Sequence, residues 1–258
     1  MSSHSSPPPL DKLKAEHTPD AVERRLKDGP QHSYLRDFIY GAIDGAVTTF
    51  AVVAGVVGAQ LSAGVIVILG LANLFADGFS MAVSNFLGTR AEEAQRQRLR
   101  RVEREHIQRY PAGEREEVRQ IFANKGFEGE DLERAVDTIT SDVDRWVDTM
   151  LTDELGVSLK GPNPYRAAMS TFLAFIVIGF IPLTIYVFDL VVPASMAIGN
   201  AFLWSAILTG VAFFLVGAAK SRFVDQHWWR SGLETLIVGG LAAAIAYAIG
   251  VLLRGVAN

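Results

Sequence analysis

Long apolar stretches alternate with polar ones along this chain. Five windows of 20 or more mostly apolar residues lie at roughly 38–60, 61–88, 167–188, 193–219 and 232–253. A helix of about 20 apolar residues spans the hydrocarbon core of a bilayer. A soluble protein of 258 residues can be half hydrophobic, but it rarely contains five such segments. The pattern therefore predicts an all-α membrane protein with five transmembrane helices.

The second window continues into a charged stretch without a helix breaker. Its apolar half, LSAGVIVILGLANLFADGFSMAVSNFLG, is followed directly by TRAEEAQRQRLRRVEREHIQRY. Because about 20 residues are enough to cross the bilayer, roughly five further helical turns must extend beyond it. We expect one continuous helix that crosses the membrane and continues into water as far as Tyr110.

Between the second and third windows lies a charged block that reads as a helical domain of its own. The extension to Tyr110 is its first helix, since Pro111 and Gly113 follow. A second helix is expected over 114–124 and a third from about 129 to 156, with apolar residues at helical spacing. The sequence thus predicts a three-helix cytoplasmic domain inserted between transmembrane helices 2 and 3.

These patterns divide the chain into four parts. We expect a disordered N-terminal tail over 1–33, with a short surface helix near 20–27, transmembrane helices 1 and 2 over 34–89, the cytoplasmic domain over 90–162, and transmembrane helices 3 to 5 over 163–256.

The distribution of positive charge predicts the orientation. The net charge is only −4, but Lys and Arg are concentrated: six precede Asp37, fourteen lie between Arg90 and Arg166, and three between Lys220 and Arg230. Positive residues collect on the cytoplasmic side of membrane proteins. Five spans with the N-terminus in the cytoplasm place all three groups there and the C-terminus outside.

Composition excludes several kinds of chemistry. The chain has no cysteine, so disulfides, thiolate metal sites and thiol catalysis are ruled out. The first residues, MSSHSSPPPL, do not have the apolar core of a signal peptide. No histidine lies within a predicted span and no nucleophile motif is present, so Ser/His/Asp catalysis has no support. We expect lipid, not nucleic acid, as the surrounding partner.

The first two spans carry polar residues at helical spacing. Asp44 lies well inside the first window, where an unpaired carboxylate costs at least about 2.5 kcal/mol, so it should face a partner or a water-filled path. In the second span Asn73, Asp77, Met81 and Asn85 follow at four-residue steps and form a slanting stripe. We interpret all five as a transport path. The alternatives are a structural carboxylate hydrogen-bonded between helices for Asp44, and a ligand, proton site or structural role for Asp77.

Small residues in the first span predict close helix packing. Gly41 and Gly45 form a GxxxG pattern, which allows a second helix to approach closely. In the third span, Pro182 is expected to kink the helix.

Carboxylates share the apolar faces of the predicted cytoplasmic helices. The set consists of potential metal ligands at positions where the pattern predicts core: Glu103, His106, Glu114, Glu117, Met150 and Glu154. Buried ionised groups need a partner, and glutamates do not neutralise one another. Carboxylates with an imidazole and a thioether favour first-row transition metals over Mg²⁺ or Ca²⁺. The alternative is that these are solvated faces of charged helices with arginines nearby.

At this point the sequence resembles a known family. The segments DFIYGAIDGAVTTFAVVAG and GLANLFADGFSMAVSNFLGTRAE are similar to the first two spans of the vacuolar iron transporter family, as are PYRAAMSTFLAF, GFIPL and GAAKSRF later on. The resemblance covers about 36–256. It implies a five-span homodimer without a prosthetic group, which exchanges protons for Fe²⁺ and often Mn²⁺ (Zn²⁺ is a further candidate ion) and moves the metal out of the cytoplasm.

The resemblance also implies roles for particular residues. Asp44 and Met81 match the family's path carboxylate and methionine, and Glu103, Glu114, Glu117, Met150 and Glu154 match its cytoplasmic metal-binding domain. Three positions depart from the family pattern: His106 and Asn73 stand where glutamates are expected, and Leu151 replaces a second methionine. A bacterial-type member in the inner membrane is the implied setting.

Two rival functions follow from the same residues. A membrane-anchored ferroxidase or iron-binding protein would use Glu103-x-x-His106, which has the spacing of di-iron sites in ferritin-like bundles, but that fold needs a second such motif and the chain has none. A membrane scaffold with an acidic recruiting domain would show no ion flux.

Overall fold

The computed structural model describes residues 9–28, 32–223 and 226–256. Every regular element in these ranges is helical. The α-helices are α1 (Leu10–Glu16), α2 (Pro19–Asp28), α3 (Leu35–Gly58), α4 (Ala63–Arg109), α5 (Pro111–Asn124), α6 (Gly129–Thr140), α7 (Val143–Thr149), α8 (Pro164–Gly179), α9 (Thr184–Val191), α10 (Ala201–Lys220) and α11 (Trp228–Leu252). A π-helical turn covers Met150–Glu154, and 3₁₀ turns cover Ile181–Leu183 and Ala194–Met196.

Five helical segments among the described residues are long and apolar enough to cross a membrane, as the sequence predicted. They are α3, α4, the α8–α9 pair over 164–191, α10 and α11. The helix α4 is continuous over 47 residues, which confirms the predicted extension of the second span. Its apolar half is followed by the charged half without a break because no proline interrupts the i to i−4 hydrogen bonds.

Pro182 interrupts the third span, and a neighbouring helix compensates. The α-helix ends at Gly179 and resumes at Thr184 after a 3₁₀ turn. The buried Ser205 hydroxyl of α10 donates to the Pro182 carbonyl at 2.6 Å. A side chain that satisfies a backbone group is what allows such a break at membrane depth.

The helix α3 packs closely against α8 through its GxxxG pattern. A Cβ placed on Gly45 would lie 2.5 Å from the Phe175 carbonyl oxygen, and one on Gly41 would overlap the Thr171 carbonyl. The sequence prediction of a close helix neighbour is confirmed, and the neighbour is α8 of the same chain. The opposite end of α3 packs as tightly on α11, where Gly250 lies against the Gly55 carbonyl.

The chain forms two compact units. One contains Met1–Phe86 and Pro164–Asn258, and its core is an apolar cluster that includes Phe50, Leu74 and Phe175. The other contains Leu87–Asn163. Its core holds Ile107, Val118, Val136, Trp146, Val147, Met150 and Leu151, which come from α4, α5, α6, α7 and the π-helical turn.

The third helix predicted for the charged block is divided in the structure. The helix α6 ends at Thr140 and α7 starts at Val143, because the Asp142 side chain caps α7 by accepting a hydrogen bond from the Arg145 amide at 2.8 Å. Short polar side chains at an N-cap compete with helix continuation. The apolar spacing is compatible with one helix, so the pattern alone missed this interruption.

Much of the predicted N-terminal tail is helical. The structure forms α1 and α2 within 9–28, where the sequence suggested only a short helix near 20–27. Lys12 and Glu16 pair at i and i+4 in α1, and the Arg24 side chain donates to the Asp20 carbonyl in α2. Residues 1–8 and 29–31 of the predicted tail lie outside the described residues.

Candidate metal centre

Three predicted ligands converge at the junction of α4 and α5. One ligand atom each from Glu103, His106 and Glu114 lies within 4.8 Å of the other two. His106 Nδ1 is 3.5 Å from Glu114 Oε1. Glu103 and Glu114 are 5 % and 7 % exposed, whereas His106 is exposed. A divalent ion bound between them would be held by two buried carboxylates and an imidazole at the solvent side.

Local sequence explains why these side chains meet. Glu103 and His106 are three residues apart and therefore lie on one face of α4. Pro111 at the first position of α5 turns the chain straight after α4. That turn places Glu114, in the first turn of α5, next to His106.

The remaining predicted ligands, Glu117, Met150 and Glu154, differ in burial and in their electrostatic effect on the triad. The charges of Glu117 and Glu154 act on Glu114, and both side chains are exposed. Met150 is fully buried in the apolar core of this unit. Met150 and Glu154 are the two ends of the π-helical turn, whose widened geometry lets the Leu155 amide donate to the Met150 carbonyl at 3.1 Å. Single π-turns inside helices are frequent at functional sites.

The basic residues of this unit pair with other acids. Within 87–163, which the structure describes without a gap, no lysine or arginine forms an ion pair with Glu103, Glu114, Glu117 or Glu154. The ion pairs of lysine and arginine found there are Arg96–Glu93, Arg100–Asp148, Arg104–Asp144, Arg109–Glu105, Arg115–Glu133, Arg115–Asp137, Arg119–Glu116, Arg119–Glu133, Lys125–Asp153 and Arg134–Asp131.

The electrostatics of Glu114 reflect this lack of positive partners. Burial, followed by the negative charges of Glu117 and Glu103, raises its pKa from 4.5 to about 7, and His106 opposes the shift. The pKa of Glu154 is raised by burial and by the charges of Glu117 and Glu103. Glu114 Oε2 is buried without a hydrogen-bond partner. Glu114 therefore keeps a proton up to about neutral pH, or it is neutralised by a cation.

The predicted path residues occupy α3 and the apolar half of α4. Asp44 and Asp77 are exposed on these helices and near enough for their charges to interact. Met81 is half-buried against the apolar core, and Asn73 is half-buried with an Nδ2 that has no hydrogen-bond partner. The charges of Asp44 and Asp77 thus interact, and the predicted path across all five residues stays a prediction.

Asn85 belongs to a hydrogen-bonded group that sequence reasoning missed. Its Nδ2 donates to Asp37 Oδ1 at 3.0 Å and to Thr171 Oγ1 at 2.8 Å. His32 Nε2 lies 3.8 Å from Asp37 Oδ2. Asp37 precedes Asp44 by seven residues, and helical spacing puts both on one polar face, but that spacing does not predict the hydrogen bond to Asn85. Thr171 gave no sequence signal, because α8 has no polar stripe.

Comparison with known proteins finds related sequences that cover most of this chain. Residues 35–251 match the sequence profile of the VIT family. Vacuolar iron transporter 1 of Arabidopsis thaliana is 34 % identical over 83 % of this chain and 84 % of its own length. The vacuolar iron transporters of Toxoplasma gondii (strain ATCC 50861 / VEG) and Plasmodium falciparum (isolate 3D7) are 30 % and 29 % identical. These alignments cover 95 % and 88 % of this chain and 84 % and 86 % of the relatives.

The raised pKa of Glu114 predicts how the stability of the metal-free protein depends on pH. The folded protein keeps a proton that the unfolded chain releases between about pH 4.5 and pH 7, so the stabilisation is complete below 4.5 and is lost as the pH rises through 7. The thermal unfolding midpoint of the full chain in detergent and chelator should therefore fall between about pH 5 and pH 7.5.

Glu114→Gln keeps the side-chain shape and removes this titration, so it should flatten the slope. Glu92→Gln, at an exposed position of α4, is the matched control and should keep the slope of the unmodified protein. A slope that is the same in Glu114→Gln and in the control would contradict the assignment.

Proposed function

Because the chain belongs to the VIT family, we propose that it is a membrane transporter for a divalent transition metal, with Fe²⁺ as the main cargo and Mn²⁺ as a second. Transport is out of the cytoplasm in exchange for protons. The observation that carries the proposal is the Glu103–His106–Glu114 cluster, whose two carboxylates are buried and form no ion pair with a lysine or arginine among the described residues.

A bound cation is the best explanation of this cluster. Glu103 and Glu114 are almost fully buried, and burying unpaired carboxylates is costly. Arginines are plentiful in this unit, yet they pair with other acids. A divalent ion would neutralise the two carboxylates and would give the orphaned Glu114 Oε2 a partner. The arrangement argues against the solvated-face alternative.

The donor set favours transition metals. Mg²⁺ and Ca²⁺ prefer oxygen ligands, whereas imidazole nitrogen and thioether sulfur suit Fe²⁺, Mn²⁺ and Zn²⁺ to different degrees. We propose Glu103, His106 and Glu114 as the central ligands. Glu117, Met150 and Glu154 extend the set around them. His106 at a position where the family pattern has a glutamate shifts the preference towards the later metals of this series.

The path across the membrane uses Asp44 and Met81, with Asn73, Asp77 and Asn85 along its wall. Asp44 and Asp77 are exposed on membrane-spanning helices of the single chain. Carboxylates at such positions normally face protein or a water-filled cavity. A second copy of the chain that covers this face would provide that cavity, and we therefore propose a homodimer with the path at its interface.

The distribution of charged residues supports a proposed orientation in the membrane and a proposed coupling of metal exit to proton entry. We propose that the N-terminus and residues 90–162 lie in the cytoplasm and the C-terminus outside, in a bacterial inner membrane, because lysine and arginine are concentrated in the segments on the cytoplasmic side. Protonation of Asp44 from the outer side would release the metal and couple its exit to proton entry.

Family membership also bears on the rival functions. The related proteins are named transporters, and this favours transport over ferroxidase chemistry. Oxygen consumption on addition of Fe²⁺ remains the measurement that would detect the ferroxidase.

Metal binding by the unit Leu87–Asn163, called the charged unit below, is tested with two double variants that remove the same number of charges. Glu114→Gln/Glu117→Gln removes two carboxylates of the cluster and should weaken Mn²⁺ binding about tenfold or more, equivalent to about 1.4 kcal/mol. The control is Glu92→Gln/Glu128→Gln, at exposed positions of the same unit. Calorimetry on the purified full chain measures both. Equal affinity in the two double variants would contradict the proposed site.

Transport is tested in proteoliposomes with a metal-quenched dye inside. Asp44→Asn should reduce Mn²⁺ flux to near background, because the amide neither binds the cation strongly nor exchanges a proton. Glu234→Gln, an exposed carboxylate of α11 paired with Lys220, should transport normally. An imposed pH gradient should accelerate flux in the unmodified protein. Normal flux in Asp44→Asn would remove this residue from the path, and flux independent of the gradient would exclude proton coupling.

A further inference from the structure

A cavity in the charged unit, Leu87–Asn163, is lined by two arginines. It measures about 310 Å³ and lies between Arg96 and Arg100 of α4 on one side and Leu151 with residues 157–159 on the other. We propose that this cavity binds a small phosphate-bearing anion, either inorganic phosphate or the phosphate group of a small metabolite. This site is separate from the proposed transport function and does not depend on it.

The two guanidinium groups have spare hydrogen-bonding capacity. They are largely buried, with side chains 15 % and 29 % exposed. Each guanidinium carries five N–H donors. Arg96 donates only two hydrogen bonds, both to Glu93 Oε2. Arg100 approaches Asp148 Oδ1 at 2.6 Å, but that oxygen is buried without a well-directed hydrogen bond.

Two other arginines of the same unit have two carboxylate partners each. Arg119 binds two carboxylates, Glu116 and Glu133, and Arg115 lies within 4 Å of both Glu133 and Asp137. Within 87–163, Arg96 and Arg100 have one carboxylate partner each, as do Arg104, Arg109 and Arg134, but Arg96 and Arg100 line one cavity together. An anion placed there would supply the second partner that Arg115 and Arg119 already have.

The wall opposite the arginines is held in place by its own backbone. The Val157 amide donates to the Leu151 carbonyl at 2.8 Å, and Gly156 has a φ of +63°, which favours glycine. Gly161 lies directly against the Arg96 guanidinium, where a Cβ would overlap it. The Ser158 hydroxyl lines the cavity and donates to the Lys160 carbonyl. Backbone hydrogen bonds and the close approach of Gly161 thus define the shape of the cavity.

The arginine side chains that line the cavity favour an anion over a metal ion. Arginine is always protonated and repels cations. Glu93 and Asp148 offset the two positive charges, so binding must come from directed donors more than from net charge. Guanidinium groups one helical turn apart can each offer paired N–H donors to different oxygens of a phosphate, a geometry for which arginine is well suited.

Calorimetry with inorganic phosphate on the purified full chain tests this site. Arg96→Gln/Arg100→Gln should lower phosphate affinity about tenfold or more, since each charge-assisted interaction is worth about 1.5–3 kcal/mol. The matched control is Arg98→Gln/Arg101→Gln, which removes the same charge from exposed positions of the same helix and should change affinity less than about twofold. Absence of phosphate binding to the unmodified protein, or equal loss in both double variants, would overturn the proposal.

A second variant covers the case in which the arginine substitutions disturb folding. Ser158→Asp leaves both arginines in place and puts a carboxylate into the cavity, so phosphate binding should be lost while the unfolding temperature stays the same or rises. Phosphate binding that survives Ser158→Asp would show that the anion binds elsewhere. If AMP binds more tightly than phosphate, the ligand is a phosphate monoester. If phosphate binds more tightly than AMP, the ligand is free phosphate. Displacement of phosphate by an equal concentration of acetate would overturn the assignment to phosphate.

Discussion

The charged unit depends on how its many arginines and carboxylates are paired. Within 87–163, ten ion pairs join arginine or lysine to other acids, and Glu103, Glu114, Glu117 and Glu154 have no such partner. The pKa of Glu114 is raised to about 7 as a consequence. Pairing these glutamates with the nearby arginines would have stabilised the fold. The absence of such pairs is best explained by a ligand that carries positive charge.

In the unit that contains the five membrane-spanning segments, one side of α3 packs against other helices and a different side carries the polar residues. Gly41 and Gly45 bring α8 into backbone contact on one side. Asp44, between the two glycines in sequence, points to a different face and is exposed. Because the glycine face is fully used within the chain, the carboxylate face is the one available to a second copy. The same helix thus fixes the fold and presents the proposed path.

Sequence patterns predicted the features that depend on local periodicity. The five spans, the uninterrupted α4, the interruption at Pro182 and the close approach at Gly41 and Gly45 all follow from hydropathy, helix breakers and small residues. The Glu103–His106–Glu114 convergence was also expected, because acids on apolar faces are unusual. The split between α6 and α7, the π-helical turn and the Asn85–Asp37 hydrogen bond were not predicted. They depend on an N-cap, on packing of the core and on contacts between distant segments, none of which leaves a periodic signal.

Proton release on metal binding is the most direct test of the central claim that Glu114 holds a proton in place of a cation. Calorimetric titration of the full chain with Mn²⁺ at about pH 6, in two buffers of different ionisation enthalpy, gives the number of protons displaced. With a pKa of about 7, Glu114 is mostly protonated at that pH, so the account predicts release of at least about one proton per bound ion. Binding without proton release, or no binding at all, would contradict it.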